Sequence, residues 1–509
     1  MPALRCFALA IVAIAISLSA AHAQTPTPTP LSANSQISAA DLQTDVAVLR
    51  RAYESLHPGL YRYNTKAEMD ARFAALASQL NHDQSLQDAY LAFSQFAATI
   101  RCGHTYANFF NQPKSVAAAL FQSPTRVPFY FQWLGQRMIV LEDFTPTHQL
   151  PRGTEVLSIN NVPVSQILQK LLTIARADGS NDAKRVASLS VYGDSLYETF
   201  DIYFPMFFPQ KSTALQLSVR KPDAANAQEI SVETLTYAQR IAPIRAREAG
   251  RKGGSEIEFD LSYLPDGAAY LKMPTWALYD SKWDWKSWLN AHLDELIAKN
   301  SPSLIIDLRG NEGGNDIGNE ILPRLITSDL KLSATRRLVR YQKVPEDLVP
   351  YLDTWDPSFK DWGAAAAELP QPWPTAPPVH YFKLTRYDDD PDGDVIKPAA
   401  KHFSGKVFVL VDANNSSATF QFAQVIQQNH LGQLVGQPTG GNQRGINGGA
   451  FFFLRLPKSK IEMDLPLIGS FPATPRPDSG LTPDILVQPT IPDITANRDS
   501  ALLTITRQN

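Results

Sequence analysis

The stretch from Val407 to Ala423, VFVLVDANNSSATFQFA, constrains the fold of this chain more than any other. Val407 to Val411 is an apolar run rich in β-branched residues, Asp412, Asn414 and Asn415 interrupt it, and Phe422, Val425 and Ile426 then recur at helical spacing. The pattern predicts a strand, a tight turn and a helix. A serine at such a turn has its hydroxyl raised above the sheet edge, and the helix N-terminus offers unpaired N–H groups that can stabilise a developing negative charge. Ser417 is therefore the candidate nucleophile and the Ala418 N–H one candidate oxyanion donor. The competing reading is that Ser416 or Ser417 merely caps the helix, a position serine strongly favours. Only the surroundings decide between them.

At 509 residues the chain is too long for a single core, and about three domains are expected. Its 44% apolar and 19% charged residues are those of a folded protein. A net charge of -3 and the lack of any Lys/Arg run argue against a nucleic-acid partner.

Arg5, the apolar run Phe7 to Leu18 and the small residues up to Ala23 read as a secretory signal cut after Ala23. That run is too short for a comfortable membrane span, and no other stretch approaches the length, so an exported protein without membrane insertion is expected, periplasmic or secreted. Cys6 leaves with the signal; Cys102 alone remains, which excludes an intramolecular disulfide.

Residues 24–36 form a Thr-Pro-rich linker. A helical domain is expected over 37–115: one helix through Leu42, Val46, Leu49, Tyr53 and Leu56 that stops at His57-Pro58-Gly59, a second opened by a Thr65/Glu68 capping box, and a third from Leu86 to Ile100. Gly103-His104 then leaves the third helix; a histidine there is ordinarily structural unless something nearby needs a base. Over 125–225, a hairpin about Gly135 and a strand-turn-strand-helix run from Gly153 through Leu172 resemble part of a PDZ domain. Polar residues 224–255 read as a link to the next unit.

From Ala268 strands alternate with helices, which indicates an α/β core over 255–490, with 491–509 as a C-terminal tail. Leu304 to Leu308 is a buried strand that enters Arg309-Gly310-Asn311-Glu312-Gly313-Gly314. Such a turn leaves backbone N–H groups pointing at a site, as a phosphate cradle or as an oxyanion hole; it lacks the lysine and hydroxyl of a nucleotide loop. Residues 330–401 form an insertion near the site mouth, either a lid or a surface excursion, in which Pro370 to Pro378 is irregular.

Together these motifs resemble the C-terminal processing, or tail-specific, serine peptidases, and more closely their tricorn-like, histidine-using branch. The matching positions are Gly103-His104-Thr105, Asp307-Leu308-Arg309-Gly310-Asn311 with Gly313-Gly314, Ser417-Ala418 with Phe422-Ala423, Gly436 with Thr439 and Gly441, and Gly480 with Pro483-Asp484, in the family's order over about half the chain. The resemblance implies a crotonase-like (ClpP/crotonase) α/β peptidase core preceded by the helical and PDZ-like domains, and a polypeptide substrate. Two positions depart from the pattern. Asn442 stands in the turn where the lysine-using branch carries its base, and Phe420 stands where a glutamate is frequent.

A serine hydroxyl needs a partner to take its proton. With no lysine after Thr439, His104 is the general base, and acyl transfer to Ser417 follows, with the oxyanion between the Ala418 N–H and an N–H of Gly313 or Gly314. His104 is expected to have an acceptor on its other nitrogen. Asp478 is the first choice, where the tricorn-like branch places an acid, with Glu462 and Asp464 as rivals. No metal or cofactor is called for: the nine histidines lack ligand spacing. The alternatives are a non-catalytic peptide- or ligand-binding protein on the same fold, and an esterase or amidase for small acyl compounds. Oligomeric state is not legible.

Overall fold

Leu304, Ile305 and Ile306 are all fully buried, although neighbouring residues of a strand point to opposite faces. That requires a sheet covered on both sides, as parallel sheets are. The computed structural model, which describes residues 31–122, 125–248, 259–369, 379–385 and 394–507, shows this sheet at the centre of the C-terminal half. The signal sequence, most of the Thr-Pro linker and the Pro370–Pro378 stretch lie outside the described residues.

The sheet has six strands in the order Ile485–Leu486, Gln433–Gly436, Lys406–Val411, Ser303–Asp307, Ala269–Lys272 and Asp260–Tyr263, all parallel except the last. On one face Leu304, Ile306, Val407 and Val409 pack with the helices Trp285–Ala298 and Ser417–Gln428 through Leu289, Leu293, Phe422 and Ile426. On the other, Ile305, Phe408, Leu410 and Val435 are covered by Ala501 and Ile505 of the helix Ser500–Thr506, so the C-terminal segment is part of the core. The α/β architecture expected from the alternation is present.

A second six-stranded sheet, entirely antiparallel, is built on the long hairpin Asn447–Arg455 and Glu462–Pro472. Strands Thr335–Val339, Leu352–Asp353, Ala366–Glu368 and Phe382–Leu384 complete it, so the 330–401 insertion is woven into a sheet and is not a free excursion.

The three expected helices are Ala39–Leu56, Lys66–Gln79 and Leu86–Thr99, the second with the reciprocal Thr65/Glu68 capping box. They sit on the second sheet: the Asp45 carboxylate accepts from the Lys458 and Ser459 N–H groups at 2.8 Å each, and Arg62 donates to the Ser470 carbonyl at 2.7 Å. A further antiparallel sheet holds Phe129–Leu134, Arg137–Asp143, Glu155–Ile159, Ala214–Arg220 and Gln228–Glu233. Its last strand, and the helix Tyr237–Glu248 after it, occupy residues read from the sequence as a link. The reading failed because the exposed face of an edge strand is polar, and in Gln228–Glu233 only Val232 is buried.

Candidate active site

The parallel register sets Asp307 beside Leu410 and Val411 beside Gly436, so the carboxyl ends of three neighbouring strands deliver their turns to one place. Two fully buried asparagines lock the turns together. Asn415 donates to the Leu308 carbonyl and, at 3.0 Å, to the Asn311 carbonyl, and its side-chain oxygen accepts the Asp412 N–H at 2.7 Å. Asn311 donates to the Met273 carbonyl at 2.8 Å and accepts from the Trp276 and Gly313 N–H groups at 3.2 and 2.9 Å.

Ser417 opens the helix Ser417–Gln428 in the left-handed region, φ 52°. For a residue with a side chain this conformation costs on the order of 1–3 kcal/mol, a strain found where a side chain has been aimed. Ser416, at the N-cap, makes no capping bond; its hydroxyl turns away to the Glu312 carbonyl at 3.2 Å. The Ala418 N–H consequently has no acceptor among the described residues. Helix capping therefore does not account for the serine pair.

Gly313 lies against this helix start: a Cβ there would be 2.9 Å from the Ala418 nitrogen and 2.9 Å from the Ser417 Cβ. Its own N–H, however, is bonded to Asn311, which corrects the expectation that Gly313 supplies an oxyanion donor. Gly314, at φ 139°, is pressed onto the Trp276 backbone, and its N–H has no acceptor among the described residues. Of the three expected donors, Ala418 and Gly314 thus keep their N–H groups open.

His104 arrives from the helical unit, and the Gly103 peptide before it is clamped from both sides. The Gly103 N–H donates to Asp178 at 2.9 Å, and Arg176 donates to the Gly103 carbonyl at 2.6 Å. Thr105 is fixed by His57, whose ring Nδ1 accepts the Gly59 N–H at 3.0 Å, so that Nε2 carries the proton donated to the Thr105 hydroxyl at 2.7 Å. Burial holds the His57 pKa down at about 3. His57, Arg176 and Asp178 were not singled out from the sequence. Arg176 and Asp178 sit one residue apart beyond a helix end, a spacing without a signature of its own.

Burial also lowers the pKa of His104 against the opposing pull of Asp178, with Arg176 adding to the lowering. The ring is therefore neutral at pH 7, as a base must be. Its Nδ1 is buried and has no hydrogen-bond partner among the described residues. None of the three candidate acids supplies one. Asp478 instead accepts from the Ser180 N–H and hydroxyl at 2.9 Å each and from Asn442 at 2.7 Å. Asn442 also donates to the Asp178 carbonyl at 3.1 Å, so Asp478 reaches the His104 clamp only through Asn442 and Asp178. Asp464 is bonded to Asn108 and Asn111 at 2.7 and 3.0 Å, and Glu462 pairs with Arg455 at 2.9 Å.

No hydrogen bond joins His104 to Ser417 in this structure. Glu312 is linked to both neighbourhoods: its carbonyl accepts the hydroxyl of Ser416, next to Ser417, and its carboxylate bonds Lys184 at 2.6 Å and acts electrostatically on His104. Phe420, the other departure, is buried behind the helix, where a Cβ on Gly441 would be 2.2 Å from its ring. Among the described residues no group of three or more His, Cys, Asp or Glu side chains could hold a metal ion, and no helix is long and apolar enough to cross a membrane.

Residues 267–451 match the model of peptidase family S41. The fold is similar to that of mature CPAF complexed with lactacystin, with a TM-score of 0.62 and 15% identity over 92% of this chain and 98% of that one. Another structure of mature CPAF aligns with a TM-score of 0.57 and 16% identity over 92% and 97%. At these identities the likeness is one of fold. No curated protein sequence matches the chain.

Proposed function

We propose, on the premise of the match of residues 267–451 to peptidase family S41, that the chain is a serine peptidase that cleaves polypeptides through a Ser417 acyl-enzyme with His104 as general base. The observation that carries this reading is the uncapped start of the Ser417–Gln428 helix, where the Ala418 N–H is left without an acceptor directly beneath a strained serine. A capping serine would have consumed that donor.

In the reaction the His104 imidazole takes the Ser417 proton as Oγ bonds to the scissile carbonyl carbon. The Ala418 and Gly314 N–H groups bind the oxyanion, and removing one such donor typically costs about 100- to 1,000-fold in kcat. The imidazolium then protonates the leaving amine as the C–N bond breaks, and water attacks the ester with the same base. Asp178 is the carboxylate that most favours the charged ring. His104 and Ser417 are drawn within hydrogen-bond reach when substrate fills the cleft; such bonds are commonly long in unliganded enzymes.

The finer parts of the reading belong to the same proposal. The core is crotonase-like, the sheet of Phe129–Leu134 and its neighbours is a PDZ-like unit, and the N-terminal signal exports the protein. A serine-reactive phosphonate probe tests the chemistry. It should label the parent, leave Ser417→Ala unlabelled and label His104→Ala far more slowly; equal labelling of all three overturns the assignment. N-terminal sequencing of the exported protein should begin at Gln24.

A further inference from the structure

The strand Asn447–Arg455 buries Ala450, Phe452 and Leu454 on one face and turns Phe451 and Phe453 outward. Outward aromatic side chains on a strand ordinarily meet a covering element. Here the ring of Trp355, from the insertion, lies 5.9 Å from both Phe451 and Phe453 and 5.5 Å from Phe359, and yet Trp355 is 58% exposed. A tryptophan left this open beside two phenylalanines is an apolar surface without a partner. On its other side the Phe451 ring lies 5.9 Å from the ring of His104. The aromatic surface therefore begins at the base and runs along the strand away from it.

The backbone shows how Phe451 reaches this place. The pairing of the two hairpin strands slips between Gly448 and Phe451, with Gly449 at φ 71°. Bulges of this kind re-aim a side chain and are enriched beside active sites. After the slip Phe451 faces Pro466, while Phe453 lies between Asp464, whose carboxylate is bonded to Asn108 and Asn111, and Asp353 on the neighbouring strand. The charged side chains that the pairing sets directly beside Phe453 are therefore carboxylates, not cations.

We propose that Phe451, Phe453 and Trp355 form a side-chain subsite for a large apolar residue, aromatic or branched aliphatic, flanking the scissile bond of the substrate polypeptide. The occupant follows from place and chemistry. A side chain bound against the ring of the general base belongs to a residue next to the bond being cut, and a wall of rings desolvates an apolar side chain while the carboxylates beside Phe453 repel an acidic one. The proposal rests on the reading of His104 and Ser417 as the reacting pair.

The test uses the full mature chain carrying Ser417→Ala and fluorescent peptides identical except for one central residue: Phe, Leu, Ala or Asp. Binding is read by anisotropy, so the outcome does not depend on turnover. Phe and Leu peptides should bind about 10- to 100-fold more tightly than the Ala peptide, the discrimination an apolar pocket supplies, and the Asp peptide more weakly still. In the Ser417→Ala background, Trp355→Ala should bring the Phe-to-Ala ratio close to one, Phe453→Ala should reduce it, and Trp355→Phe should retain most of it. Equal binding of Phe and Ala peptides, or a ratio unmoved by Trp355→Ala, overturns the subsite. Phosphonate labelling of the parent reports separately on the reading of Ser417: a labelled serine without the preference sinks the subsite alone, and a preference without labelling sinks the Ser417 assignment.

Discussion

A methyl group on Gly313 would stand 2.9 Å from the Ala418 nitrogen, the N–H assigned to the oxyanion. Gly313→Ala should therefore push the helix start away from the Gly-rich turn and lower kcat by about 100-fold or more. Gly313 also has φ 100°, so an alanine carries backbone strain as well. Gly310→Ala separates the two effects: φ is 80° there, but no atom lies within 4 Å of the added carbon. Both variants should lose stability by about 1–3 kcal/mol, and only Gly313→Ala should lose acylation of an active ester. Equal kinetic losses would show that strain, not crowding at Ala418, is responsible.

The neutral His104 predicts the pH profile. Its folded pKa lies below the usual 6.5, chiefly through burial, so the base stays unprotonated as pH falls through 6.5. The acid limb of kcat/KM should accordingly fall below pH 6.5. Lys184 and Arg176 both contribute to the lowering. In Lys184→Met one of these cations is gone, and the limb should move upward. A limb that stays in place across the two pH titrations would mean that His104 is not the titrating group.

Much of the core was legible because it is local. The run Val407 to Val411, the turn after it and the helix through Ile426 lie within 20 residues and carry their own periodicity, as does the Thr65/Glu68 box. The partners of His104 were not legible. Gly103 is held by residues 73 and 75 positions later, and the Asn442 to Asp478 bond is one step short of that clamp. Nothing in a polar tripeptide such as Arg176-Ala177-Asp178 announces a tertiary hydrogen bond. The same limit explains why Asp478 looked like the orienting acid: its place in the chain suits the role, and Ser180 takes it instead.

Asp464 gives a test of how His104 is positioned. Its two oxygens hold Asn108 and Asn111, and its N–H donates to the Tyr106 carbonyl at 2.9 Å, so it pins the loop that follows His104. Asp464→Ala should loosen that loop, lowering phosphonate labelling about tenfold, and should destabilise the fold by about 1–3 kcal/mol through its stranded amides. Burial first, opposed by Asn108 and Asn111, raises the Asp464 carboxyl to about 7. A raised acid pKa favours the fold below the ordinary value of 3.8 and loses that contribution as pH rises through about 7. Relative to Asp464→Ala, the parent should therefore lose stability between pH 5 and 8 in parallel urea titrations. An advantage of the parent that grows over this range would contradict the raised pKa.

The C-terminal helix offers a prediction about stability that leaves the chemistry untouched. Ile505 is fully buried against the face of the parallel sheet that carries Ile305, Phe408 and Val435. Ser417 lies beyond the carboxyl end of its strand, and its helix packs on the opposite face. Ile505→Ala should lower stability by about 2–5 kcal/mol, the range for emptying such a site, and shift the urea midpoint down while labelling of the folded protein stays at the parental rate. Asp499→Ala should cost less. The Arg309 guanidinium loses its bonds to Asp499 at 2.9 and 2.7 Å but keeps Asp307, and it is partly exposed, so solvent screens the remaining charge. If Asp499→Ala proved the more damaging of the two, the helix would be held by its ion pair and not by the apolar face it covers.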